Sequence, residues 1–148
     1  MYTIRVTPEG RLHAEASGRL STAEALRLAS QGFALADAGA ITDLLVDVRG
    51  VERGPGQWLV LGAVIASRME GPMRLAVVAG PAQEPVVRRI LRYAGLRNRA
   101  AVVMTEEEAL RWFAGRLRER GREAASRAAA AKAAPTGADA EEIRPKAG

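Results

Sequence analysis

The chain contains no cysteine, which excludes disulfide frameworks, thiolate metal sites and cysteine nucleophiles. Its single histidine, His13, excludes any catalytic or metal constellation that needs two imidazoles. Aromatic residues make up only 4% of the chain. Surfaces that bind nucleic acid combine clustered cations with stacking aromatics, and the arginines here mostly alternate with acids, so no nucleic-acid partner is expected. The longest uninterrupted apolar run, Trp58 to Ala66, is too short to span a bilayer. Met1-Tyr-Thr-Ile-Arg-Val6 opens in a strand-like pattern without a signal-peptide apolar region, so a soluble, cytoplasmic protein is the expectation. No glycine-rich phosphate motif, nucleophile elbow or metal-ligand spacing occurs. An enzyme is therefore not expected, and neither is a cofactor.

What is there suits one globular domain: 148 residues, 48% hydrophobic and 26% charged. The net charge is +5. Residues 1–115 hold 14 arginines against 12 acids, whereas residues 116–148 hold 8 cations against 5 acids. The basic excess is thus denser towards the end, and the only lysines, Lys132 and Lys146, lie there. The arginine and alanine bias has a bacterial, GC-rich character.

Tyr2 to Val6 and Arg11 to Ser17 alternate apolar and polar residues around the turn Pro8-Glu9-Gly10, the pattern of a β-hairpin. This alternation places His13 on a polar, exposed face. Ser21-Thr-Ala-Glu24 is a capping box. It opens a helix to about Ala38 with Leu26, Ala29, Phe33 and Ala36 inward and Gly39 as terminator. Ile41 to Val48 is a short continuous apolar run, as expected of a strand covered on both faces. Gly50 to Gly56 reads as a loop, and Gln57 to Met69, apolar on nearly every side, as a buried helix. Met73 to Ala79 is a second buried strand. Pro85 suits the first turn of a helix that buries Val86, Val87, Ile90, Leu91 and Ala94 and ends at Gly95. Ala100 to Met104 is a last strand, and Thr105-Glu-Glu-Glu108 caps a helix with Leu110, Phe113 and Leu117 inward. Beyond Gly121 alanine dominates. Propensity allows helix over Ala124–Ala134, but large apolar residues are too few for a core, so a frayed helix and then disorder are expected.

The order is β-β-α-β-α-β-α-β-α, an α/β fold with a mixed, mostly parallel sheet and an opening hairpin. Residues 1–117 form the domain and 118–148 the alanine- and arginine-rich tail. The cluster Arg116-Leu-Arg-Glu-Arg-Gly-Arg122 reads as a solvated helix end whose cations complement the helix dipole; the apolar face of a membrane-surface helix is missing after Leu117.

This order, with Leu44-Leu-Val-Asp-Val-Arg-Gly-Val51 ending an apolar strand in Asp-x-x-Gly-Val, resembles the STAS domain of anti-sigma-factor antagonists and sulfate-transporter tails. Arg74-Leu-Ala-Val-Val78 and Ala101-Val-Val-Met-Thr-Glu-Glu-Glu-Ala-Leu110 fit the same family, so the resemblance covers about residues 2–115. Regulatory members carry a phosphorylatable serine or threonine at the start of the helix after the loop. Here that stretch is Gly54-Pro-Gly-Gln-Trp58, and no hydroxyl lies between Thr42 and Ser67. A phosphosite at the usual position is therefore excluded. The chain resembles a divergent branch that has lost it, related in architecture to the CRAL-TRIO lipid-binding modules.

The resemblance implies a non-catalytic, regulatory protein-binding module. Relatives contact partners through the helix and loop that correspond to Gly50–Met69. Asp47, Arg49, Arg53, Gly54, Gln57 and Trp58 are the candidate partner- or ligand-binding residues, since the carboxyl end of a central parallel strand is where ligands collect in open α/β sheets. The occupant is a protein partner or a second copy of the chain. The alternative is a small anionic ligand or lipid sensor, with Arg49, Arg53 and Gln57 beside free helix amides. Asp47 reads first as a structural acceptor for turn amides. Asp43 leaves the same strand face, and the two carboxylates are no catalytic pair without further partners.

Overall fold

A computed structural model of the chain describes residues 1–96 and 98–133, the side chains of 116–120 and 133 excepted. The elements are β1 (Tyr2–Val6), β2 (Leu12–Arg19), α1 (Thr22–Gly39), β3 (Asp43–Arg53), α2 (Trp58–Arg68), β4 (Arg74–Val78), α3 (Glu84–Tyr93), β5 (Ala100–Val103) and α4 (Glu106–Ala133). The expected order stands. The five strands form one sheet in the order β1-β2-β3-β4-β5. The β1–β2 pair is antiparallel and the other three pairs are parallel. The chain divides into two units, of which the first, Met1–Phe113, holds the sheet. The alanine-rich stretch continues α4 to Ala133, and the disorder expected after it lies outside the described residues, as do the side chains of Arg116–Arg120.

Strand β3 runs through the middle of the sheet, and its alternation explains the continuous apolar run. Leu44, Val46 and Val48 turn to one face, where Phe33 and Ala36 of α1, Ile65 of α2 and Leu91 of α3 meet them. Leu45 turns to the other, where it joins Ala76 and Val78 of β4 and Ala109 and Phe113 of α4. All five residues of β4 are buried. A third cluster, Ala16, Leu20, Ala25 and Val51, closes the carboxyl end.

Several expectations are corrected. Strand β3 starts two residues later than Ile41 and runs on to Arg53, so most of the expected Gly50–Gly56 loop is strand. The reason is the neighbouring strand. After a register shift, Ser17, Gly18 and Arg19 pair with Gly50, Val51 and Arg53, and Val51 is buried. Gly50 serves close approach rather than a turn, since a Cβ there would lie 3.1 Å from the Ser17 Cβ. Gly39 is not the terminator of α1. It is the last helical residue, and Ala40 takes the left-handed conformation at φ 51°, letting the Ile41 N–H return to the Ala36 carbonyl at 2.8 Å. Helix α2 is not buried. Only Gly62 is fully enclosed, while Leu59 and Val60 are 46% and 43% exposed. Val86 and Leu110 are exposed as well, because the inward stripes are Val87, Ile90 and Leu91 on α3 and Ala109 and Phe113 on α4. His13 is 4% exposed, not on a polar face. β2 is an interior strand, and its second face is covered by α4, which brings the Glu106 carboxylate to 3.6 Å from His13 Nε2.

Candidate functional site

The carboxyl end of β3 carries the candidate residues, and the strand's alternation separates them. Asp47 shares the α4 side of the sheet with Asp43 and Leu45. Arg49 folds back onto it: its Nε and Nη2 donate to the two Asp47 carboxylate oxygens, the shorter bond being 2.7 Å, and its backbone N–H donates to Oδ1 at 3.0 Å. Burial pushes the Asp47 carboxyl up, but these bonds and the Arg49 charge outweigh it and hold the carboxyl below the usual carboxylate range. Asp47 is thus an acceptor, but for the amide of Arg49 within β3, where the pairing with β2 shifts register, and not for a turn amide; Arg49 is already engaged. The two line a surface concavity of about 410 Å3 together with Thr3, Glu15, Ser17 and Gly50. Met1 also lines it, its ammonium donating to the Ser17 carbonyl at 3.1 Å, so the Glu15 and Asp47 carboxylates stand beside two cations that already have partners.

Asp43 is neutralised separately. Arg74, 3% exposed, donates to Asp43 Oδ1 at 2.6 and 3.0 Å and to the Phe113 carbonyl at 3.0 Å. Arg11 approaches Asp43 from the other side at 4.0 Å. The two aspartates therefore sit in separate ion pairs and form no acid–base couple. Among the described residues no group of three histidine or acidic side chains is placed to hold a metal ion.

On the opposite face of the sheet, residues 54–57 join β3 to α2. Arg53 is exposed, and its carbonyl accepts from the Leu20 N–H at 2.8 Å. A Cβ at Gly54 or Gly56 would meet nothing within 4 Å, so this segment stands open. Gln57 occupies the cap position of α2 without a side-chain cap bond; its own N–H donates to the Thr22 hydroxyl at 3.1 Å. Trp58 is half-buried and meets Tyr93 of α3 edge to face, with ring centroids 6.3 Å apart. Beside this pair α2 and α3 approach so closely that a Cβ on Gly62 would lie 3.0 Å from Tyr93 and 3.2 Å from the Ile90 carbonyl oxygen. With that side fixed, α2 turns Leu59, Val60 and Ala63 outward. No charged side chain occurs on α2 before Arg68.

The structure therefore brings Asp47 and Arg49 together on one side and Arg53, Gly54, Gln57 and Trp58 together at the start of α2. It does not unite the two groups. Two residues outside the candidate set also shape this rim. Gln83 accepts from the Gly80 N–H through Oε1 at 2.9 Å and donates through Nε2 to the Val51 carbonyl at 2.8 Å, which ties the end of β3 to the turn after β4. Thr22 anchors the start of α2. Nothing in local sequence marks either contact, since Thr22 serves a backbone group 35 residues away and Gln83 one 32 residues away.

No protein-family model and no curated protein sequence matches the chain. Solved structures do. The anti-sigma factor antagonist SpoIIAA in its unphosphorylated form superposes with a TM-score of 0.56 at 14% identity, over 78% of this chain and 99% of that one. An anti-sigma factor antagonist from Mycobacterium paratuberculosis gives a TM-score of 0.54 at 23% identity, over 74% and 92%. At these identities the likeness concerns the fold, which is that of a STAS-like domain.

Proposed function

We propose that this protein is a non-catalytic regulatory module that binds a protein partner through residues 54–57 and the outward side of α2. The observation that carries this reading is the exposure of Leu59 and Val60 on an uncharged stretch of helix. Burying an apolar side chain of this size is worth about 1.5–3 kcal/mol, and adjoining exposed apolar residues offer a partner a contiguous patch, where isolated ones do not. Arg53 stands exposed beside the apolar residues, so the partner surface that fits has an apolar centre with an acidic group at one edge. The anti-sigma factor antagonists that share the fold act on a protein, in keeping with this reading. Their kind of control through a hydroxyl at the start of α2 is closed to this chain, because Gln57 and Trp58 stand there.

The test is co-purification of partners with the full chain, comparing wild type, Leu59→Glu and a replacement of residues 54–57, alongside sedimentation of the purified protein. A bound protein lost in both variants is the expected result. A concentration-dependent dimer abolished by Leu59→Glu would make the partner a second copy. An identical bound set in all three proteins would sink the assignment. The anion-binding alternative is weaker, since Arg49 is spoken for by Asp47. Phosphate, nucleotides and acidic lipids are expected to leave Trp58 fluorescence unchanged. A saturable change lost in Arg53→Ala would restore that alternative.

A further inference from the structure

Between the sheet and the layer formed by α1, α2 and α3 lies a cavity of about 140 Å3. Leu12, Val46 and Val77 form its floor, and Ala29, Ile65 and Ile90 stand for the three helices above. Every lining residue is apolar or glycine. Its origin is visible in α1, which presents Ala25 and Ala29 to the sheet where longer side chains would fill the gap. Folded interiors are ordinarily packed without voids larger than a water molecule. A water molecule needs two to four polar partners to occupy such a space, and these walls supply none. An apolar cavity of about 150 Å3 stays dry and takes up benzene or xenon.

We propose that this cavity binds an uncharged hydrocarbon group about the size of benzene or toluene, entering between α1 and α2 past the half-buried Leu28 and Leu61. The lining chemistry sets the class. A charged or hydrogen-bonding head has no partner inside, so only a ring or the end of an alkyl chain is accepted. This site is distinct from the outward side of α2. The cavity touches Leu61 and Ile65, whereas Leu59 and Val60 face away from it.

Toluene and octanoate, as a free hydrocarbon and a chain with a charged head, are titrated into the full chain. Methyl resonances of Leu12, Val46 and Ile90 and the thermal midpoint are followed. Saturable shifts with toluene and a raised midpoint are expected, because a ligand that binds only the folded state stabilises it. Binding of octanoate as well would make the occupant an acyl end inserted tail first; toluene alone would make it a free small hydrocarbon. Ala29→Leu from the helix side and Val46→Leu from the sheet side each reduce the space, and each is expected to weaken toluene binding by about tenfold or more, a change of about 1.4 kcal/mol. Leu59→Glu is expected to leave it unchanged. Absence of saturable shifts in the wild-type protein, or toluene affinity unaltered in whichever filled variants fold, would overturn the proposal.

Discussion

Asp43 and Arg74 show what one side chain can decide. Arg74 has almost no contact with water, and its guanidinium is met by a carboxylate, by the Phe113 carbonyl and by the Phe113 ring 5.4 Å away. Removing one partner of such a pair strands a buried charge and costs about 3–5 kcal/mol. Asp43→Ala is therefore expected to lower the urea midpoint by that equivalent, and Arg74→Met, which leaves the more accessible Asp43 behind, by less. Equal midpoints for wild type and Asp43→Ala would show the pair to be dispensable. Asp47 makes a pH-dependent contribution. Its folded-state carboxyl titrates lower than in the unfolded chain, so the stabilisation is complete above about pH 4 and fades as pH falls through the lower, folded value. Asp47→Asn is expected to flatten the acid limb of the stability curve, while an unchanged limb would remove Arg49 as its cause.

Among the elements, α1 was the most legible and α2 the least. Ser21 and Glu24 satisfy each other's backbone N–H groups, at 3.2 and 3.0 Å, as their spacing required. Ser21→Ala is expected to cost about 1 kcal/mol, read as a lower thermal midpoint. Ile41–Val48 could be read as a two-sided strand because apolar residues there outnumber what one face can use. Its extension to Arg53 could not, because pairing with Ser17 to Arg19 is a property of β2. The same holds for His13: alternation gave its side of the strand correctly, but whether that side meets water depended on α4, some 90 residues later. For α2, an apolar sequence is equally compatible with burial and with an outward face awaiting a partner. The candidate site was legible as a segment, while the division of Asp47 and Arg49 from Gln57 and Trp58 needed the sheet between them. Gly54 lies at φ below zero with free space around it. Gly54→Ala is expected to raise stability by about 0.4–1 kcal/mol through the unfolded chain. If it also weakens partner capture, the partner comes close to this backbone.

For the molecule as a whole, the proposed boundary near residue 117 has a direct check. A chain ending after Leu117 is expected to keep the thermal midpoint of the full chain. One ending after Val103 is expected not to fold, because Leu45, Ala76 and Val78 would lose the Phe113 and Ala109 side chains that cover them. A cooperative transition in the shorter chain would show α4 to be an accessory. The strand order has a further consequence. Neighbours in the sheet are neighbours in sequence, so during synthesis each strand leaving the ribosome finds its partner already made and never has to wedge itself between two already joined. The advancing edge is covered as each next strand arrives, which limits the interval in which a neighbouring nascent chain can add itself there, whereas the outer edge of β1 stays unpaired throughout.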